Sequence, residues 1–162
     1  MTVGPEVTIT NRHPRLRGAA GARRALRVLL AHRAEFERAE SVFQPDTLAV
    51  TVTFLRDREL AELHGQFLND PTETDVITFP AQPGFGLAGE ICVSVDAACR
   101  QPGRAFADEL TLYVVHGWLH LAGHDDLEPG KKRRMRRAEQ RALALLRAAG
   151  AMPRFTLPRK AR

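Results

Sequence analysis

The chain has 162 residues, a length that fits one domain of ordinary size, since domains typically contain about 100–200 residues. Hydrophobic residues make up 44% of the sequence and charged residues 27%, a composition that excludes a disordered or collagen-like chain. No apolar run approaches the ~20 residues of a membrane-spanning helix, and residues 1–12 lack the apolar stretch of a signal peptide, so we expect a cytoplasmic protein.

Charge is distributed unevenly along the chain. Residues 41–128 carry 4 basic and 14 acidic side chains, whereas residues 129–162 carry 12 basic side chains and one acidic one, a net charge of +11. A local field of that size attracts phosphate polyanions. On charge alone, a solvated helix and tail explain the distribution equally well. Nucleic acid is therefore one candidate partner.

The first half of the chain predicts two strands and two helices. Residues 7–10 have the composition of a short strand, and the arginine-rich stretch 14–33 has the apolar spacing of an amphipathic helix. Residues 47–54 alternate as a half-buried strand. A second helix is predicted to begin at residue 57 and to end near residues 69–71, where a proline follows.

The second half predicts two strands followed by two helices. Residues 74–79 and 90–95 have strand patterns, and the turn-rich loop between them resembles a hairpin connection. Residues 107–122 are apolar on all sides, which predicts a buried helix. A last helix is predicted to begin near Pro129, with an apolar face and basic residues opposite.

Strands clustered between helices predict an α+β fold, a small mixed β-sheet of about four strands packed with about five helices. Residues 1–150 are expected to form a single domain. The prolines and basic residues of 151–162 predict a flexible, basic C-terminal tail.

The strongest chemical signal is the pattern H-x-x-x-H-x-x-G-x-x-D. His116 and His120 lie four residues apart on the predicted helix, so their rings share a face within reach of one metal ion. A continuous helix would place His124 about 12 Å along the axis from His116, too far to share that ion. Gly123 permits a turn that can bring Asp126 back toward the ion.

Two histidines in a buried helix can also be ordinary hydrogen-bonded core residues. The apolar setting, the glycine and the acidic residues after it favour a metal site over that alternative. Glu109 lies seven residues before His116, on nearly the same helix face. It can accept a hydrogen bond from an imidazole behind the metal, or it can be a first-turn carboxylate facing water, and the sequence leaves both open.

The same segment resembles the YbeY-type single-domain metal-dependent endoribonucleases, the bacterial rRNA maturation factors. Two further stretches, Thr74–Phe79 and Gly89–Ile91, are similar to family segments T-D-V-L-S-F and G-D-I. The family signature H-G-x-L-H-L-x-G-[YH]-D-H is matched at His116, Gly117, Leu119, His120, Leu121, Gly123, His124 and Asp125.

The resemblance implies a ligand set with one departure. Asp126 stands where the family has its third metal-binding histidine, which gives a His₂Asp site with His124 as the alternative third ligand. Zinc, one ion per chain, is the implied cofactor, and the carboxylate leaves another divalent metal open. The family also carries an arginine after an aromatic residue in its groove, where this chain has Leu68. Arg56 and Arg104 are candidate replacements, although surface roles are favoured for both.

The function implied by the resemblance is single-strand-specific endoribonuclease activity at the 3′ end of small-subunit rRNA, with a role in ribosome quality control. His116 and His120 would be catalytic residues as ligands of a metal ion that activates water for attack on a phosphodiester. The implied partners are rRNA and the small ribosomal subunit, and we expect neither DNA nor a membrane as partner. The residues expected to follow the RNA backbone, as a group, are Lys131, Lys132, Arg133 and Arg136.

Two other functions remain open at this point. The histidine spacing is that of metzincin metalloproteases, but those enzymes use a glutamate directly after the first histidine as general base, and that position is Gly117 here. The second alternative is a non-catalytic, ribosome-associated RNA-binding protein whose metal site is structural or vestigial.

Overall fold

The described residues form a four-stranded sheet with the strand order β1-β2-β4-β3. We analysed a computed structural model, which describes residues 5–68, 75–81 and 86–159. Strands β1, β2 and β4 are mutually parallel, and β3 is antiparallel to β4 at one edge. The strands are β1 (Val7–Asn11), β2 (Ala49–Leu55), β3 (Val76–Pro80) and β4 (Leu87–Ser94).

In the described residues, five α-helices surround this sheet, which confirms the predicted α+β class. A 3₁₀ turn, Arg33–Glu35, follows the first of them. The helices are α1 (Gly21–Ala31), α2 (Asp57–Leu68), α3 (Val95–Arg100), α4 (Phe106–Leu121) and α5 (Pro129–Ala148). Within the described residues, none of these helices has both the length and the apolar character required to cross a bilayer.

Two element boundaries differ from the sequence prediction for local reasons. Helix α1 begins at Gly21 rather than after Pro14, because Arg17 pairs through its backbone with Thr156 in an isolated bridge and is held extended. The predicted fourth strand ends at Ser94, whose side chain accepts a hydrogen bond from Ala97 N and caps the unpredicted helix α3. The predicted helix end at 69–71, Thr74 and residues 82–85 of the hairpin loop lie outside the described residues.

Helix α4 packs unusually close to the sheet at two glycines. A Cβ atom on Gly117 would lie 2.5 Å from Cγ2 of Ile91 and 3.1 Å from Oγ1 of Thr78. On the sheet side, a Cβ on Gly89 would lie 2.6 Å from Cδ2 of Leu121. Because both positions lack a side chain, the last turns of α4 lie directly on β4 and β3.

Residues 151–159, which the sequence predicts as part of a flexible tail, pack against the domain. Backbone hydrogen bonds join Arg17 and Thr156 in both directions, at 2.9 and 3.1 Å. Phe155 is 3% exposed, and its ring meets that of Phe54 on β2 at a centroid distance of 5.4 Å. Hydrophobic burial therefore holds a segment whose proline and arginine content resembles that of a tail.

We predict that Gly117→Ala destabilises the protein by about 1–3 kcal/mol, because the added methyl group must displace the fully buried Ile91. Gly130→Ala is the matched control, since it is also helical but its Cβ would meet only the end of Arg133 at 3.8 Å. That control should be neutral or stabilising by up to about 1 kcal/mol. Urea denaturation measures both, and equal stability of the two variants would contradict the close packing of α4.

We predict that Phe155→Ala lowers the free energy of unfolding by about 3–5 kcal/mol, the usual cost of removing a buried aromatic ring. Leu127→Ala is the control, because Leu127 is 83% exposed and its truncation should change stability by no more than about 0.5 kcal/mol. Thermal unfolding followed by circular dichroism compares them. An unchanged melting temperature for Phe155→Ala would mean that the C-terminal segment is not packed in solution.

Candidate metal centre

Two imidazole rings project from the last turns of α4 beside β3. The rings of His116 and His120 are nearly perpendicular, and their centroids are 4.7 Å apart. Their Nε2 atoms face each other at 3.1 Å. The helical spacing of four residues thus produces the shared face that the sequence predicts.

Hydrogen bonds at the other ring nitrogens fix both tautomers. Nδ1 of His120 donates to the backbone carbonyl of His124 at 3.0 Å, and Nδ1 of His116 donates to the Glu139 carboxylate at 2.8 Å. Each neutral ring then presents a lone pair on Nε2. Two lone pairs aimed at each other at 3.1 Å repel unless a proton or a cation lies between them.

Neighbouring groups favour a single positive charge on the histidine pair. Burial lowers the pKa of His116, but the hydrogen bond to Glu139 and the negative charges of Glu139 and Asp126 outweigh it, so this pKa is raised. Burial lowers the pKa of His120, and the charge of His116 lowers it further. One positive charge between the rings is therefore favoured over two, and a bound cation would take the place of that proton.

The Asp126 carboxylate completes a donor set that fits a metal ion. Its oxygens lie 3.4 Å from Nε2 of His116 and 3.8 Å from Nε2 of His120. Two atoms that each bind one tetrahedral ion at about 2.0–2.1 Å are separated by roughly 3.3 Å. The three side chains offer one ligand atom each within 4.8 Å of one another, so the nitrogen and oxygen donors present fit a divalent cation.

The turn at Gly123 brings Asp126 to this position. Gly123 has φ +99°, a left-handed conformation that side chains rarely adopt, and a Cβ there would lie 2.7 Å from Ser41 N. Backbone bonds from Arg38 N to Ala122 O and from Val42 N to Leu121 O hold the end of α4 against the loop over residues 38–42. The chain therefore reverses where the sequence predicts, and hydrogen bonds from the loop over residues 38–42 hold the turn in place.

His124, the alternative third ligand, points elsewhere. Its ring is buried, and Nε2 donates to the carbonyl of Phe36 at 2.8 Å. Burial lowers the pKa of His124, and the charges of Arg38 and Arg141 lower it further against the opposing effect of the Phe36 hydrogen bond. A neutral ring bonded to Phe36 positions the His124 carbonyl that orients His120.

The structure does not place Glu109 beside the imidazoles or facing water. Glu109 is mostly buried in the first turn of α4, and its carboxylate pairs with Arg104 at 3.3 Å. The residue behind His116 is Glu139 of α5, which sequence reasoning did not assign. A feature of the sequence that could have indicated this role is that Glu139 is the one acidic residue in the otherwise basic helix α5 and lies next to the buried Ala138.

The three candidate ligands open into a cavity of about 750 Å³. Acidic residues Glu40 and Asp75 contribute to its wall, and neither lysine nor arginine is among the described residues that line it. Until a cation is bound, a phosphate group approaching Asp126 through this cavity would meet the net negative charge of Asp126, Glu40 and Asp75. The remaining lining residues are Val42, His64, Val76, Ile77, Thr78, Pro80, Leu121 and Leu127.

The predicted basic group lies in the first two turns of α5, directly after the turn that carries Asp126. Lys132, Arg133 and Arg136 are exposed, whereas Lys131 is partly buried and pairs with Asp125 at 3.3 Å. These positions place positive charge beside the metal centre but outside its cavity.

Neither candidate substitute for the family arginine lines the metal cavity. Arg104 pairs with Glu109, and Arg56 lines a different cavity at the end of β2. The side chain of Leu68 lies outside the described part of the chain.

Comparison with known proteins identifies related sequences and a related fold. The family model described as Endoribonuclease YbeY matches residues 16–147. The Endoribonuclease YbeY of Chlamydia felis is 37% identical over 114 residues, which cover 64% of this chain and 72% of that protein. The Endoribonuclease YbeY of Anaeromyxobacter sp. is 34% identical over 139 residues, covering 82% of this chain and 68% of that protein.

A solved structure gives the same architecture. The solution structure of a protein from Thermotoga maritima matches with a TM-score of 0.54 and 23% sequence identity. The match covers 90% of this chain and 94% of that one, so it extends over nearly the whole fold.

We predict that the wild-type protein binds one Zn²⁺. Loss of a residue that only hydrogen-bonds to a metal ligand typically weakens metal binding about 10–100-fold, so loss of a ligand itself in His120→Ala or Asp126→Ala should weaken zinc binding more than about 100-fold. His124→Gln should retain zinc, since its carbonyl rather than its ring contacts the site. Isothermal titration and metal analysis measure the affinity and stoichiometry. Full zinc content in Asp126→Ala would remove Asp126 from the ligand set.

Proposed function

Since this chain belongs to the YbeY family of endoribonucleases, we propose that it hydrolyses phosphodiester bonds within single-stranded RNA, with a divalent cation held by His116, His120 and Asp126. The observation that supports a metal-dependent reaction is the pair of Nε2 atoms of His116 and His120, which face each other at 3.1 Å beside the Asp126 carboxylate.

A bound cation would supply Lewis acidity, polarising a phosphoryl oxygen and lowering the pKa of a water molecule. The side chains of the protein position that chemistry. Glu139 holds the proton on Nδ1 of His116, and the His124 carbonyl holds the proton on Nδ1 of His120, so both Nε2 atoms remain ligands. Three protein ligands would leave room on a bound ion for solvent or substrate.

Zinc is the metal we propose, because two imidazoles and one carboxylate form a donor set that it commonly accepts. The aspartate adds a negative charge where a third imidazole would be neutral, which lowers the net charge of the site and makes a harder divalent ion an alternative occupant. Metal analysis of the protein as isolated distinguishes these occupants.

The proposed substrate is the 3′ end of small-subunit rRNA, and the proposed role includes ribosome quality control in the cytoplasm. The support is membership of the family together with the basic first half of α5, where Lys132, Arg133 and Arg136 face solvent beside the metal turn. Contacts of this kind follow an RNA backbone without reading its sequence.

A peptidase function finds no support at Gly117. The position that would carry the general-base glutamate of a metzincin faces the sheet, where even a Cβ atom would lie 2.5 Å from Ile91. A glutamate there could not reach the cavity without displacing α4 from β4.

We predict that the zinc-loaded protein cleaves a single-stranded rRNA fragment, that a chelator abolishes cleavage, and that casein stays intact. Glu139→Gln should lower kcat/KM by about 10–100-fold through misorientation of His116, and His120→Ala by more. His32→Ala is the control, because that histidine is exposed and its ring pairs with the neighbouring Glu35. Gel analysis of end-labelled RNA reads the result, and casein cleavage without RNA cleavage would reverse the proposal.

A further inference from the structure

A second cavity, of about 630 Å³, lies at the carboxyl ends of the three parallel strands. Residues 13–17 follow β1, Arg56 follows β2 and Asp96 follows β4, and all of these segments contribute to its wall. The C-terminal segment closes it through Pro158 and Arg159. Crevices outside the carboxyl ends of parallel strands are common ligand sites in α/β sheets. None of the described residues lines both this cavity and the metal cavity.

Arginine dominates the charge of this second cavity. Four guanidinium groups and one carboxylate line it, which leaves three net positive charges with the histidine neutral. Among the described residues, no carboxylate pairs with Arg17, Arg56 or Arg159, and all three are exposed. The fourth guanidinium, that of Arg15, donates to the carbonyl of Pro158 at 3.0 Å and keeps further N–H groups available.

The one acidic residue in the wall is already engaged. Oδ1 of Asp96 accepts from Nε2 of His13 at 2.8 Å, and Oδ2 accepts from the backbone N–H of Asp57 at 3.0 Å. His13 is 3% exposed at its side chain, and its Nδ1 accepts from Arg15 N at 3.2 Å. This partly buried network fixes the loop after β1 and thereby the positions from which Arg15 and Arg17 face the cavity.

We propose that this arginine cavity binds a backbone phosphate of single-stranded RNA, at a nucleotide away from the scissile bond. The inference rests on the proposed function and names a second contact with the same substrate. Planar guanidinium groups match phosphate oxygens in a bidentate geometry, and all four cations here are arginine. The metal cavity has no basic lining residue among those described, so side-chain cations that hold phosphates away from the scissile bond lie outside it.

The test compares Arg56→Gln with Arg58→Gln. Both residues are exposed and both substitutions remove one charge, but Arg58 lies outside the cavity and pairs with Glu62. Fluorescence anisotropy of a labelled single-stranded oligoribonucleotide, measured in a chelator so that no cleavage occurs, gives Kd at several salt concentrations. Arg56→Gln should raise Kd by roughly threefold to tenfold and reduce the slope of log Kd against log salt by about 0.7, the value for one lost phosphate contact.

The Arg58→Gln control should leave both Kd and the salt slope close to wild type. Unchanged melting temperatures for the two variants exclude misfolding as the cause. Equal effects of the two substitutions would reduce the cavity to diffuse surface charge and overturn the proposal, as would an unchanged slope for Arg56→Gln.

Two further probes separate RNA from other anions. Backbone amide NMR signals of residues 15 and 17 should shift with the oligoribonucleotide, and inorganic pyrophosphate should displace it only at far higher concentration. Saturation of these signals by pyrophosphate or by polyglutamate, with RNA unable to compete, would identify a small phosphate or an acidic segment as the occupant and overturn the proposal. Because binding is measured without cleavage, loss of nuclease activity alone would refute the proposed function and leave this result standing.

Discussion

The close approach of α4 to the sheet is the constraint on which the candidate site depends. Gly117 lets the helix lie against Ile91 of β4, and this contact sets the height of His116 and His120 beside β3. A side chain at position 117 would lift the helix and move both rings. The same contact leaves no space at position 117 for a side chain that could act as a base in the cavity.

Orientation of the metal-facing atoms comes from three separate parts of the chain. Glu139 on α5 holds one ring, and the His124 carbonyl, fixed by its own contact with Phe36, holds the other. The loop over residues 38–42 locks the reversal at Gly123 that returns Asp126. Preorganisation of this kind matters because an imidazole free to rotate would lose affinity for a cation through conformational entropy.

Sequence patterns predicted the features of the fold and of the site that depend on local periodicity. The α+β class, the buried helix and the shared face of His116 and His120 all follow from spacing alone. Glu139 was missed as a partner because its contact joins residues 23 positions apart on different helices, which no local pattern encodes. Helix α3 was missed because one capping serine ends a strand pattern that continues to Val95 in the sequence. The packing of residues 151–159 was not predicted, because it depends on a contact between Phe155 and Phe54 that no local pattern encodes.

The bridge between Arg17 and Thr156 has a consequence for the order of folding during translation. Residues near the start of β1 leave the ribosome long before residues 151–159 are synthesised, so the loop after β1 has no bridging partner while most of the domain is already outside the exit tunnel. The arginine cavity is thus among the last features to form. A nascent chain halted before residue 156 would contain helix α4 with its two histidines but not the completed arginine cavity.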